Sequence, residues 1–224
     1  EKVTIMQTLS TARSESQILA TNKVLKNTYA LLSMTLLFSA ATAGASMVLN
    51  LPSFGLLTLV GYIALLFLTA KFRDSGLGVL FVFMLTGFMG LTLGPILNAY
   101  LATSNGAQLV MTALGGTGAI FLALSGYVLT TRKDFSFMGG FLMVGILVAF
   151  LAGLGALVFS MPVLSLAVSG MFILLMSGMI LYQTSEIIHG GETNYIMATV
   201  SLYISIYNLF LSLLHILGAL SGDD

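Results

Sequence analysis

The chain has 224 residues, of which 58% are apolar and only 7% charged, and its eight basic and eight acidic side chains cancel to zero net charge. An ordinary globular domain carries roughly 25% charged residues, so lipid must solvate much of this surface and no second soluble domain fits. The chain has no Cys, which removes disulfides, thiolate metal sites and a Cys nucleophile together.

Residues 1–27, ending in Thr21-Asn-Lys-Val-Leu-Lys-Asn27, are polar and read as a cytosolic N-terminal tail, flexible in its first half. Residues 16–27 could alternatively form an interfacial helix with Ile18, Val24 and Leu25 on one face. The first apolar run exceeds 20 residues and lacks an early cleavage site, so it is not a cleavable signal peptide. A span needs about 20 mainly apolar residues to cross a hydrocarbon core of roughly 30 Å. Seven stretches qualify: 28–50, 54–71, 76–98, 107–130, 136–160, 163–185 and 195–219. The expected fold class is therefore all-α, an integral membrane bundle of seven transmembrane helices. It occupies residues 28–220, with a C-terminal tail at 221–224.

Each break between spans has a local cause. Pro52 cannot continue the helix before it. Lys71, Arg73 and Asp74 with Ser75-Gly76 end the second span, and Asn105-Gly106 is a strong turn signal. Arg132-Lys133-Asp134 ends the fourth. Pro162 stands at the first position of the sixth helix, where a missing N–H costs little, and Gly190-Gly191 is a helix stop.

Every Lys and Arg precedes residue 134, in the tail, the 71–75 loop and the 131–135 loop. If the first four spans alternate, all eight lie on one side, and the loops opposite hold none. The Lys/Arg bias across short loops sets orientation. It predicts a cytoplasmic N-terminus and, for seven spans, a periplasmic C-terminus. A six-span arrangement with residues 195–219 re-entrant is the alternative. Tyr29, Tyr100, Tyr127, Tyr182 and Tyr195 lie near span ends, and Ala40 with Gly44, Gly90 with Gly94 and Gly153 with Gly155 are candidate close-approach points between helices.

Polar chemistry concentrates in the last span. Ser201, Ser205, Asn208, Ser212 and His215 are spaced four, three, four and three apart, which puts them on one helix stripe. Polar side chains in a span usually face the bundle or a water-filled cavity. Two readings stand side by side: hydrogen-bonded glue between helices, or a wet path towards His215. Gln183 and Glu186 lie one turn apart at the end of the sixth span, either as a solvated helix end or as part of a polar gate with Ser205 and Asn208. His189 and Glu192 fall short of a zinc site without further His or Cys. No metal or cofactor site is expected. No Lys lies within a span, so a retinal Schiff base is excluded. Ser212 and His215 have no acid to orient the imidazole, so the expectation is a non-enzymatic protein. Lipid is the expected surrounding, and nothing suggests nucleic acid. The oligomeric state is not readable.

Several segments carry a resemblance. Gly87-Phe-Met-Gly90 with Leu93-Gly-Pro-Ile-Leu97, Tyr127-Val-Leu-Thr-Thr-Arg-Lys-Asp134 and Ser201-Leu-Tyr-Ile-Ser-Ile-Tyr-Asn208 are similar to signatures of the Bax inhibitor-1 family. Ile187-Ile-His-Gly-Gly-Glu-Thr-Asn-Tyr195 and Lys23-Val-Leu-Lys-Asn-Thr-Tyr29 resemble its enterobacterial inner-membrane branch. The resemblance implies a multi-pass inner-membrane protein that modulates FtsH, the membrane-anchored AAA protease. In that case the protease would meet the tail and its charges Glu1, Lys2, Arg13 and Glu15. Other relatives resemble pH-sensitive calcium leaks whose sensor is a pair of aspartates on the last two helices, and an ion leak is the alternative function. The matching positions here are Gln183 and Ser205. Neither can share a proton as two carboxylates do, and calcium prefers charged oxygen ligands, which weakens the leak reading for this chain.

Overall fold

In the computed structural model of the chain the described residues are 2–222, with side chains described from residue 16 onward. Among them the chain is all-α: α1 Lys2–Val48, α2 Leu56–Lys71, α3 Gly76–Leu101, α4 Gly106–Thr131, α5 Gly139–Val158, α6 Pro162–His189 and α7 Tyr195–Ser221, with a 3-10 turn Ser136–Met138 before α5. The expected charges at Glu1, Lys2, Arg13 and Glu15, and the terminal Asp223-Asp224, lie outside the described side chains.

Six of these helices are long and apolar enough to cross a membrane, and the 16-residue α2 is the short one. Sixteen residues rise about 24 Å, less than the roughly 30 Å of hydrocarbon. Pro52 and Gly55 (φ 53°) delay the start of α2 to Leu56. The re-entrant alternative for residues 195–219 is not what forms, since α7 is an unbroken helix of 27 residues.

The segment before residue 28 is helical from Lys2 onward. Helix α1 runs without interruption through position 27, so the polar segment continues the first span. No Gly or Pro occurs before Gly44, and Ala, Leu, Lys, Gln and Glu are good helix formers. Nothing in this stretch breaks a helix once the span nucleates it. The 47 residues of α1 extend about 70 Å, more than twice the hydrocarbon thickness.

Among the described residues helices α1 and α3 pack together most extensively. A Cβ added at Gly90 would strike Thr42 Oγ1 and the Ser39 carbonyl oxygen, one at Gly94 would strike Ser46 Oγ, and one at Gly87 would come within 2.6 Å of Phe38. Gly44, Gly153 and Gly155 have no such neighbour pressing on them. The approach has a specific consequence. Pro95 lies inside α3 and has no N–H, so the carbonyl of Leu91 one turn earlier loses its helical partner. Ser46 Oγ on α1 donates to that carbonyl at 2.7 Å. In lipid an unsatisfied backbone group costs several kcal/mol, so the hydroxyl and the proline belong together.

Helix α7 is the hub, packed against α1, α2, α3, α4 and α6 and, among the described residues, not against α5. Asn194 sets its start. The Asn194 Oδ1 accepts from the N–H groups of Ile196 and Met197 at 3.0 and 3.1 Å, satisfying two of the orphan donors of a helix N-terminus. The same side chain donates through Nδ2 to the Arg73 carbonyl (3.1 Å) and to Asp74 Oδ1 (2.9 Å), tying the α2–α3 loop to the α6–α7 loop. At the end of α6, Gly190 takes the left-handed conformation (φ 79°) that its lack of a Cβ permits.

Two outcomes follow from this packing. Ser46→Ala strands the Leu91 carbonyl, and its loss should be about 1–3 kcal/mol; Gly90→Ala should lower stability by a similar amount because the added methyl meets backbone as well as side chain. Thermal denaturation in mild detergent reads both, and wild-type melting in either variant would contradict the packing argument. Asn194→Ala should cost about 0.5–2 kcal/mol, and Asn194→Asp should restore the cap but not the contact with Asp74, recovering only part of that loss in the same assay.

Candidate functional site

The stripe on α7 faces the bundle and meets α6 at two places. Ser205 is buried and its Oγ donates to Gln183 Oε1 on α6 at 3.2 Å. Further along, Ser169 Oγ on α6 lies 2.7 Å from His215 Nδ1. Asn208 turns its amide nitrogen back to the Ile204 carbonyl at 2.9 Å. Gln183 and Ser205 are therefore hydrogen-bonded neighbours, as an amide and a hydroxyl.

The stripe is divided between two cavities. Gln183, Ser201, Ser205 and Asn208 line one of about 900 Å³, bounded by α2, α3, α5, α6 and α7. Ser212 and His215 line another of about 300 Å³, together with Ser169 and Tyr100. Lining residues of the larger cavity include Phe88, Phe150, Phe172 and Met176, and none is Asp, Glu, Lys, Arg or His. This chemistry binds through shape and neutral hydrogen bonds. It has no carboxylate to hold a cation and no base beside a nucleophile.

Glu186 does not join this group. It is half-buried on α6, it is absent from the cavity lining, and its carboxylate lies against Gly191 of the following turn. The reason is angular: one turn beyond Gln183, the Gly190-Gly191 reversal folds back over it. The neighbouring loop instead gathers around His189, whose Nδ1 lies 2.9 Å from the Ser185 carbonyl and whose Nε2 lies 3.1 Å from the Arg132 carbonyl. Ser185 Oγ accepts the Phe135 N–H at 2.9 Å. Asp134 Oδ1 accepts the Ser136 N–H at 2.9 Å, and this bond is the main cause holding its carboxyl below the usual carboxylate range. Donation of a hydrogen bond to the Tyr127 side chain is the main cause raising the pKa of the Lys133 ammonium, whose Nζ sits 5.5 Å over the Tyr127 ring. These contacts lock the α4–α5 loop onto the end of α6.

Residues not singled out by the stripe argument carry much of the interhelical bonding. The Tyr203 hydroxyl is fully enclosed, 2.6 Å from Ser39 Oγ on α1, and donates to the Thr86 carbonyl on α3 at 3.3 Å. Tyr207 pairs with Thr92 at 3.0 Å. Tyr29 lies 2.8 Å from Ser125, which in turn lies 3.2 Å from Thr184, linking α1, α4 and α6. Tyr29 thus serves as an internal link although it stands near a span end. Tyr203 and Tyr207, four apart, are the signal available in the sequence: two phenols on one helix face need partners when buried.

The chain aligns over most of its length with proteins of several bacteria. It is 56% identical over 216 residues, covering 96% of this chain and 98% of the relative, to the Escherichia coli K12 protein described as Modulator of FtsH protease YccA. The same identity and coverage hold for an E. coli O6:H1 protein described as Inner membrane protein YccA. An uncharacterized Pseudomonas aeruginosa protein is 54% identical over 202 residues, 90% of this chain and 91% of its own. With six membrane-length helices and these relatives, the chain is a multi-pass inner-membrane protein. Residues 21–222 match the family described as Inhibitor of apoptosis-promoting Bax1, and the chain belongs to that family.

Proposed function

We propose that the chain is a non-enzymatic modulator of an FtsH-type membrane AAA protease, acting from the inner membrane with its N-terminus in the cytoplasm. The observation that carries this is 56% identity over 96% of the chain to a relative described as a modulator of that protease. The fold supports a mechanism. A processive protease needs a polar segment it can grip, and residues 2–20 continue α1 well past a membrane thickness. Behind them the Gly90 and Gly94 contacts and the Ser46–Leu91 hydrogen bond clamp α1 to α3. Pulling on α1 therefore loads the most extensive interface among the described residues. An occupant that resists extraction holds the protease and slows its work on other membrane proteins.

Deleting residues 1–20 should lengthen the protein's half-life in proteoliposomes containing the purified protease, and should relieve its inhibition of a second membrane substrate. Unchanged turnover and unchanged inhibition would sink the mechanism. The neutral lining of the large cavity further predicts that the reconstituted protein passes calcium no faster than empty liposomes. A dye-reported flux abolished by Ser205→Leu with Asn208→Leu would instead establish a leak.

A further inference from the structure

The larger cavity holds polar groups that the fold leaves without partners. Gln183 is only 8% exposed. Its oxygen accepts from Ser205, while its amide N–H groups have no acceptor among the described residues and border the cavity. Asn208 spends its amide nitrogen on the Ile204 carbonyl, so its Oδ1 remains an open acceptor on the same wall. Among the described residues the hydroxyls of Ser201 and Tyr62 likewise have no partner, and both residues line the space. The Gln183 side chain is buried, while Ser201, Asn208 and Tyr62 are half-buried and open onto the cavity. Donors and acceptors collected at one place in an otherwise apolar cavity mark where a ligand's polar end fits.

The remaining walls define the rest of the ligand. Ile146, Phe150, Leu154 and Leu157 line it along α5, and Leu56 and Leu59 along α2. From Ile146 to Leu157 the wall rises about 16 Å, the length of an extended acyl chain. Among the described residues the backbones of α2 and α5 do not approach each other, and both helices line the cavity; the gap between them is the route by which a lipid would enter. A transmembrane helix about 10 Å across and 16 Å long would occupy roughly 1,250 Å³, more than the 900 Å³ present. No charged side chain lines the cavity, and a charged headgroup there would be desolvated without a counter-charge.

We propose that this cavity binds an uncharged single-chain amphiphile of the monoacylglycerol class, drawn laterally from the membrane. The Gln183 amide N–H donates to the ligand's ester carbonyl, a glycerol hydroxyl donates to Asn208 Oδ1, and the chain lies along Phe150, Phe172 and Met176. This site does not depend on the protease reading: the bundle can take up lipid whether or not it modulates proteolysis.

The test uses the full chain in phosphatidylcholine vesicles with two photoreactive probes of equal chain length, a monoacylglycerol and the anionic lysophosphatidic acid. Saturable labelling by the monoacylglycerol is expected at Phe150, Phe172 or Met176, at least fivefold above the anionic probe. It should fall at least fivefold in Gln183→Leu. Met176→Trp, which fills the apolar part and leaves the polar end intact, should also abolish it and covers the case in which Gln183→Leu fails to fold. Equal labelling by the two probes overturns the proposal. So does labelling confined to the lipid-facing Phe141 and Leu147, or labelling unaffected by both substitutions.

Discussion

A backbone carbonyl in lipid must have a donor, and much of this fold is organised around one that its own helix cannot serve. Pro95 frees the Leu91 carbonyl in the middle of α3, and the Ser46 hydroxyl of α1 reaches it as a donor. That hydroxyl reaches because Gly90 and Gly94 remove the side chains that would hold the helices apart. With α1 drawn onto α3, Ser39 comes within reach of the Tyr203 hydroxyl, which also bonds the Thr86 carbonyl. The position of α7 is thereby coupled to the α1–α3 pair, and the cavities beside α7 inherit their shape from it.

The same restriction on charge shapes what the interior can do. Helices are joined by hydroxyls, amides and one imidazole: Tyr203 with Ser39, Tyr207 with Thr92, Ser205 with Gln183, Ser169 with His215. Each such bond in a membrane bundle contributes about 0.6 kcal/mol on average, so the bundle is secured by many modest contacts acting together with close packing. The polar groups lining the larger cavity are hydroxyls and amides, none of them a carboxylate. Both the proposed resistance to extraction and the proposed lipid site rest on this close packing and uncharged lining.

Particular residues show how much of this was legible in advance. The apolar runs and the turn residues between them mark the helices closely, because a span's length is imposed by the bilayer and Pro162 and Gly190 act locally. The segment before residue 28 was harder: its polarity says that it leaves the membrane, but not that α1 continues through it. The α7 stripe was readable from spacing alone. Its division into two cavities was not, since that depends on where α5, α6 and Tyr100 stand. Glu186 shows the same limit, because a turn of α6 separates it from Gln183 and the Gly190-Gly191 reversal takes it out of the cavity.

The sequence by itself determined a neutral, all-helical membrane bundle of a recognisable family, with its charges outside the spans. These are properties of composition, period and local stop signals, each decided within a few residues. Only the tertiary structure decided that Ser46 serves the Leu91 carbonyl orphaned by Pro95, that Gln183 meets Ser205, and that the Gln183 amide is left facing an apolar cavity. Those pairs join residues 22 to 45 positions apart or more, and their contacts exist only because helices approach at particular points. Helix approach is set by which glycines oppose which side chains, a relation between two segments that neither segment contains alone.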